Sequence, residues 1–206
     1  MNEEEVIKIL IVGEFDVGKT SILCKFIDED LSKELQYHYC LKRLQYDNDK
    51  ILNCEIWDIS QQAKTYPLPK IFYKDTNAVI LVYDITRKDT YEDIKYYWLE
   101  QIKENTPPET ILVFAANKSD LIDHSTVDEE EARRFAENLG AIFVSTTVTK
   151  KDTINNLLIQ IAKKYTGCYD ILIKEEEYEE YIPQENIKRI SFQRERQREY
   201  PKCDIY

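Results

Sequence analysis

The chain has 206 residues, 43% hydrophobic and 33% charged, which suits one domain with a sizeable core and excludes wholesale disorder. Its 28 Lys and Arg against 39 Asp and Glu give a net charge of −11, a poor balance for binding nucleic acid, whose phosphates call for cations. No apolar run approaches the ~18 residues of a membrane span, and five irregularly spaced cysteines without a CxxC pair read as reduced thiols, not as a disulfide framework or zinc site.

The first residues, Met-Asn-Glu-Glu-Glu, carry no basic or apolar leader, so a cytoplasmic chain is expected. Val6 to Val12 is a β-branched run that suits a strand buried on both faces. After GEFDVGKT, Ser21 to Phe26 reads as a helix with Ile22, Leu23 and Phe26 on one side. Residues 28–41 have no clean period and read as a loop. Leu41 to Tyr46 and Ile51 to Trp57 flank the turn-forming Asp47-Asn48-Asp49-Lys50, a hairpin signal. Ala78 to Tyr83, Ile111 to Ala116 and Ala141 to Val144 are further buried-strand runs.

Helices fall between them. Tyr91, Ile94, Trp98, Leu99 and Ile102 make one apolar stripe, which Pro107-Pro108 ends. Asp128 can cap the next helix, with Glu131 as its capping-box partner, Ala132, Phe135, Ala136 and Leu139 as its face, and Gly140 as its stop. Ile154, Leu157, Leu158, Ile161, Ala162 and Tyr165 mark the last helix, closed by Gly167. Alternating strands and helices imply a parallel sheet covered on both faces, with ligands at the carboxyl ends of its strands. From Cys168 onward acidic and then mixed-charge residues dominate, so 1–167 reads as one domain and 168–206 as a flexible tail.

Glycine is scarce, four in all, and two of them, five residues apart, lie in Gly13-Glu14-Phe15-Asp16-Val17-Gly18-Lys19-Thr20. This stretch matches the phosphate-binding pattern G-x-x-x-x-G-K-[ST], with a strand before it and a helix after it. Its backbone N–H groups would form an anion nest at a helix N-terminus. The expected phosphate-binding set is Gly13, Asp16, Val17, Gly18, Lys19, Thr20 and Ser21. Lys19 would reach the β and γ phosphates, and the Thr20 hydroxyl would coordinate Mg²⁺. Glu14 and Asp16 put negative charge into the same loop.

That loop does not choose between ATP and GTP. Asn117-Lys118-Ser119-Asp120 follows a buried strand and so falls on the ligand rim. A carboxylate at Asp120 can accept both the N1–H and the amino group of guanine, a donor pair that adenine lacks. A site built on paired polar groups rejects the wrong base strongly.

With these residues in place the sequence resembles the Ras superfamily of small GTPases, its Rab branch most. GEFDVGKTS, ILNCEIWD, AVILVYDIT, ILVFAANKSDL and EEEARRFAENLGAIFVSTT carry the likeness over residues 6–167, in order. The resemblance implies an α/β, three-layer P-loop G domain: a six-stranded, mostly parallel sheet with one antiparallel hairpin strand and about five helices. It implies GTP/GDP with Mg²⁺. Asp58 would hold the ion through water, Gln62 would position the attacking water, and Lys118 would cover the base. The last base-contacting element falls on Thr147-Val148-Thr149, where the Val148 N–H can meet the guanine oxygen although the family's lysine is lost. The implied partners are effector, exchange-factor and activating proteins of vesicle-mediated transport, acting on a monomer.

The departures concentrate on the switch apparatus. Asp58-Ile59-Ser60-Gln61-Gln62 stands for DTAGQ, so Gln61 replaces the glycine whose N–H meets the γ-phosphate, and Pro67 and Pro69 follow. The switch I threonine has no counterpart; alignment meets Leu35 or His38, and Leu31 takes the place of the aromatic that stacks on guanine. Phe15 stands where the family has a very small residue, crowding Gln62 and an incoming arginine finger. Slow GTP hydrolysis is therefore expected, because phosphoryl transfer depends on positioning and electrostatics.

Cys203 is fourth from the end, as in a prenylation signal, although Asp204 and Tyr206 depart from it. Lipidation there would attach the chain to the cytosolic face of an endomembrane. Two other readings remain: a pseudo-GTPase that holds nucleotide as a protein-interaction module, and a small-molecule kinase. The kinase needs an arginine-bearing lid, which Arg87, Arg133 and Arg134 do not make.

Overall fold

The computed structural model describes residues 4–27, 39–47, 50–59 and 70–174. Its elements in chain order are β1 (Glu4–Val12), α1 (Lys19–Phe26), β2 (Tyr39–Tyr46), β3 (Lys50–Asp58), α2 (Lys70–Tyr73), β4 (Ala78–Asp84), α3 (Lys88–Asp93), α4 (Leu99–Asn105), β5 (Ile111–Asn117), α5 (Glu129–Asn138), β6 (Ile142–Ser145), α6 (Lys151–Thr166) and β7 (Ile171–Ile173). A π turn over Ile94–Trp98 makes α3 and α4 one continuous rod, and a 3₁₀ segment over Ser119–His124 follows β5. The expected strands and main helices are all present, most running one or two residues beyond their predicted ends.

The strands form one sheet in the order β6-β5-β4-β1-β3-β2-β7. Neighbours from β6 to β3 pair in parallel, and β2 alone runs against the rest. Among the described residues the sheet has seven strands, not the six expected. The extra strand lies past Gly167, inside the expected tail: Ile171 and Ile173 pair with Tyr46 and Leu44 on the outer edge of β2. Only three residues long, β7 satisfies backbone groups of β2 and brings Ile171 to the core edge, 9% exposed. The compact unit accordingly runs to Lys174.

Helices α1 and α6 cover one face, over Ile7, Ile9, Ile11, Leu52, Cys54 and Ile56. The α3–α4 rod and α5 cover the other, where the Tyr91 and Phe135 rings meet edge to face at 6.4 Å. Within the rod the predicted stripe of Tyr91, Ile94, Trp98, Leu99 and Ile102 is buried throughout. The cap of α5 forms in half: the Asp128 carboxylate accepts Glu130 N–H at 2.9 Å and Glu131 N–H at 3.1 Å. Glu131 turns instead to the Lys95 ammonium at 3.2 Å, tying α5 to the π turn. On α6, Tyr165 stays 37% exposed while the rest of its stripe is buried.

Lys8 lies inside the apolar run of β1 yet is 8% exposed. Its ammonium donates to the carbonyls of Phe72 at 2.5 Å and Lys74 at 2.7 Å. It thus caps the carboxyl end of α2, which is how a cation fits within a core strand.

Candidate functional site

Parallel pairing brings the carboxyl ends of β1, β3, β4, β5 and β6 to one rim. The first loop there runs from Val12 into α1, and its shape needs its glycines. Gly13 has φ +148°, and a Cβ on it would lie 2.2 Å from the Val82 carbonyl oxygen. Gly18 has φ +94°, and a Cβ there would lie 2.3 Å from Asn117 Nδ2. Asp16 also has positive φ, at 59°. Val17 points into the core, wholly buried.

Lys19 is 3% exposed. Its ammonium donates to the Gly13 carbonyl at 2.9 Å and to that of Glu14. Burial pulls its pKa down to about 8, against the opposing fields of Asp58, Glu14 and Asp16. The ammonium is present below that value and lost above it, so affinity for an anion should fall by up to about tenfold per pH unit above pH 8. The ligand-free fold should move the other way. It binds fewer protons than the unfolded chain between about 8 and the ordinary 10.5, so its stability rises with pH across that window. Titration calorimetry with GDP at pH 7 and 9, beside unfolding of ligand-free protein, checks both signs; affinity that holds level to pH 9 excludes Lys19 as the titrating anchor.

At the ends of α1 and β3, Thr20 Oγ1 donates to Asp58 Oδ2 at 2.6 Å. Among the described residues no three His, Cys, Asp or Glu gather as a metal cage. One hydroxyl and one carboxylate converging beside an anion loop suit Mg²⁺, which keeps several waters and takes only one or two protein oxygens plus substrate phosphates. The residues present therefore fit that ion.

The second half of the rim reads a ligand's other end. Gly18, Ser21, Asn117, Lys118, Asp120, Leu121 and Val148 line a cleft of about 170 Å³. Asn117 Nδ2 donates to the Val17 carbonyl at 2.8 Å, and its Oδ1 accepts the Thr146 hydroxyl at 3.2 Å. Asp120 is exposed on the cleft, and its Oδ1 accepts the Thr147 hydroxyl at 2.5 Å. Thr147 is itself buried, its N–H donating to Thr153 Oγ1 at 3.0 Å, so it orients the carboxylate.

Lys118, expected to cover a base, has its ammonium engaged elsewhere: 2.8 Å from Asp84 Oδ2 and 3.1 Å from the Asp16 carbonyl oxygen. Its methylene stem is what remains to line the cleft. A second cation, Arg87, donates to the Phe15 carbonyl at 3.0 Å and is held by Asp89 at 3.0 Å. The Phe15 ring stands out from the loop, 76% exposed.

The structure thus brings together Gly13, Asp16, Val17, Gly18, Lys19, Thr20, Ser21, Asp58, Asn117, Lys118, Asp120, Thr147 and Val148. Gln62 lies outside the described residues, as do Leu31, Leu35, His38, Gln61, Pro67, Pro69 and Cys203. Asp84 and Arg87 join the site unforeseen. The one signal in the sequence was an acidic residue ending the otherwise apolar AVILVYD strand.

A strand-loop-helix phosphate cradle joined to a carboxylate-bearing cleft on a doubly covered parallel sheet is the arrangement of a small G domain. Residues 8–167 match the Ras family, and the chain belongs to it. It is 33% identical to human Ras-related protein Rab-22A over 77% of this chain and 82% of that one. It is 31% identical to human Rab-31 over the same shares, and 28% identical to RABA1c of Arabidopsis thaliana over 75% of this chain and 72% of that one. The chain is thus a Rab-like small GTPase of the Ras superfamily.

Proposed function

We propose that the chain binds GTP and GDP with Mg²⁺, hydrolyses GTP slowly, and acts through bound proteins in vesicle-mediated transport. One observation carries the nucleotide reading: the Asp120 carboxylate, oriented by Thr147, shares a cleft with Gly18, and Lys19 and Thr20 follow directly on the phosphate side. The cleft end takes the purine, with Asp120 accepting its N1–H and amino group, Val148 N–H facing its oxygen and the Lys118 stem against its ring. Loop amides from Asp16 to Ser21 and the Lys19 ammonium take the phosphates, and Thr20 and Asp58 would hold Mg²⁺. That ion would neutralise phosphate charge.

Slow hydrolysis follows from the residues that the sequence puts at the switch positions. Gln62 holds the place of the water-orienting glutamine, but Gln61 replaces the glycine of the γ-phosphate, the switch I threonine has no counterpart, and Phe15 replaces a very small residue. Family GTPases without an arginine in place turn over at roughly 10⁻⁴ to 10⁻³ s⁻¹. A single-turnover assay on the purified chain should fall below that range, and a rate within it removes the argument from the switch residues. The same departures support a second reading, a nucleotide-holding interaction module with no turnover at all, which that assay separates from the first.

The proposed division is a nucleotide domain, read from the sequence as 1–167 and extended by β7 to Lys174, followed by a tail. We assign the protein to the cytosolic face of an endomembrane, as a monomer meeting effector, exchange-factor and activating proteins there, with Cys203 as the site of lipid attachment. Among the described residues no helix is long and apolar enough to cross a membrane. The tail's basic residues between Lys188 and Lys202 would add attraction to an anionic leaflet.

A further inference from the structure

The carboxylate of Asp84 belongs to no step above, yet it is 1% exposed and ends β4 directly beside Asn117 of β5. Its two oxygens have separate partners. Oδ1 accepts the Thr86 N–H at 2.8 Å and the Thr86 hydroxyl at 2.7 Å, which locks the side chain to its own turn. Oδ2 faces the Lys118 ammonium at 2.8 Å. Its backbone N–H donates to Thr90 Oγ1 at 3.1 Å, so the start of α3 fixes the main chain as well. Burial alone would raise the acid's pKa; hydrogen bonds from Lys118 and Thr86 outweigh it and hold the group ionised.

Lys118 sits at φ +62° and is 30% exposed at its side chain. A lysine so exposed ordinarily samples many rotamers, and fixing it costs entropy. Here the buried carboxylate and the Asp16 carbonyl hold its head from two sides. The stem is laid along the cleft wall. The same ammonium joins the base loop to the phosphate loop. Asp84 itself is not part of the cleft wall.

We propose that Asp84 is a positioning residue of the nucleotide site: it pre-sets Lys118 and, through Lys118, the Asp16 turn, and so slows nucleotide release. This rests on the nucleotide reading above. Its effect reaches any purine nucleotide, because Lys118 meets a ring face and only Asp120 reads the guanine edge.

The test measures dissociation of GDP and of IDP, which lacks the 2-amino group, from the full chain with Mg²⁺ present. Asp84→Asn keeps the shape and removes the charge; it should speed the release of both nucleotides about tenfold and leave the ratio of their affinities unchanged. In a Lys118→Ala background the same change should add less than twofold, since its target is gone. Thr86→Val, which removes the hydroxyl bond to Oδ1 but keeps the backbone N–H and the ion pair, should accelerate release in the same direction by a smaller factor, and it carries the test if Asp84→Asn does not fold. A release rate within twofold of the parent, or effects of Asp84→Asn and Lys118→Ala that simply multiply, overturns the proposal while leaving nucleotide binding intact. A parent chain that binds neither GDP nor IDP overturns both.

Discussion

Asp120→Ala should lower affinity for GDP by about 10²–10⁴-fold while leaving the fold unchanged. The magnitude follows from two hydrogen bonds to a charged acceptor, each worth roughly 1.5–3 kcal/mol. The fold is spared because Asp120 is exposed and, among the described residues, is bonded through its side chain to the Thr147 hydroxyl alone. That hydroxyl keeps Thr149 Oγ1, 2.9 Å away, so its burial is not left uncompensated. The loss should be specific. Affinity for ADP, weak to begin with, should change by no more than a few-fold, since adenine offers Asp120 no donor pair. Asp120→Asn replaces one acceptor position by a donor and should reverse the preference, favouring xanthosine over guanosine diphosphate. Equilibrium titrations of the three nucleotides against each variant check this. Equal losses for GDP and ADP on Asp120→Ala would mean that the residue acts on the phosphate loop and not on the base.

The residues of this site divide into those fixed by local pattern and those fixed by distant contact. Gly13, Gly18, Lys19 and Thr20 are legible because the loop they form is set by backbone conformation, and a chain with only four glycines marks where that conformation is needed. Asn117, Lys118 and Asp120 are legible because they follow an unmistakable buried strand. The pairing of Lys118 with Asp84, and of Arg87 with the Phe15 carbonyl, spans 34 and 72 residues of chain and has no periodic signature. The place of Lys8 under the end of α2 is hidden in the same way, by contact over 64 residues. Strand β7 escapes because three residues carry no alternation that distinguishes them from coil. Its pairing is decided by the free edge of β2. Half of the α5 capping box fails for a tertiary reason too: Lys95, on a different helix, draws Glu131 away.

The two loop glycines should fail in different ways when given a side chain. Both have positive φ, so alanine strains either backbone by about 1–3 kcal/mol. Beyond that the obstacles differ. At Gly13 the new methyl meets the main-chain carbonyl of Val82 at 2.2 Å, in the middle of β4, paired to Ala115 of β5. That oxygen cannot retreat without shifting a central strand. At Gly18 the obstacle is the side-chain amide of Asn117 at 2.3 Å, which can rotate away. Rotation gives up its bond to the Val17 carbonyl and uncouples the base loop from the phosphate loop. Gly13→Ala should therefore cost at least about 3 kcal/mol of stability, a fall of roughly 6–12 °C in the unfolding midpoint of ligand-free protein at 2–4 °C per kcal/mol. Gly18→Ala should lower the midpoint by less than half as much and yet abolish measurable GDP binding. Thermal unfolding paired with GDP titration separates the cases. Equal midpoints for the two variants would show that the β4 carbonyl yields as readily as the asparagine, and that the loop is held by its backbone angles alone.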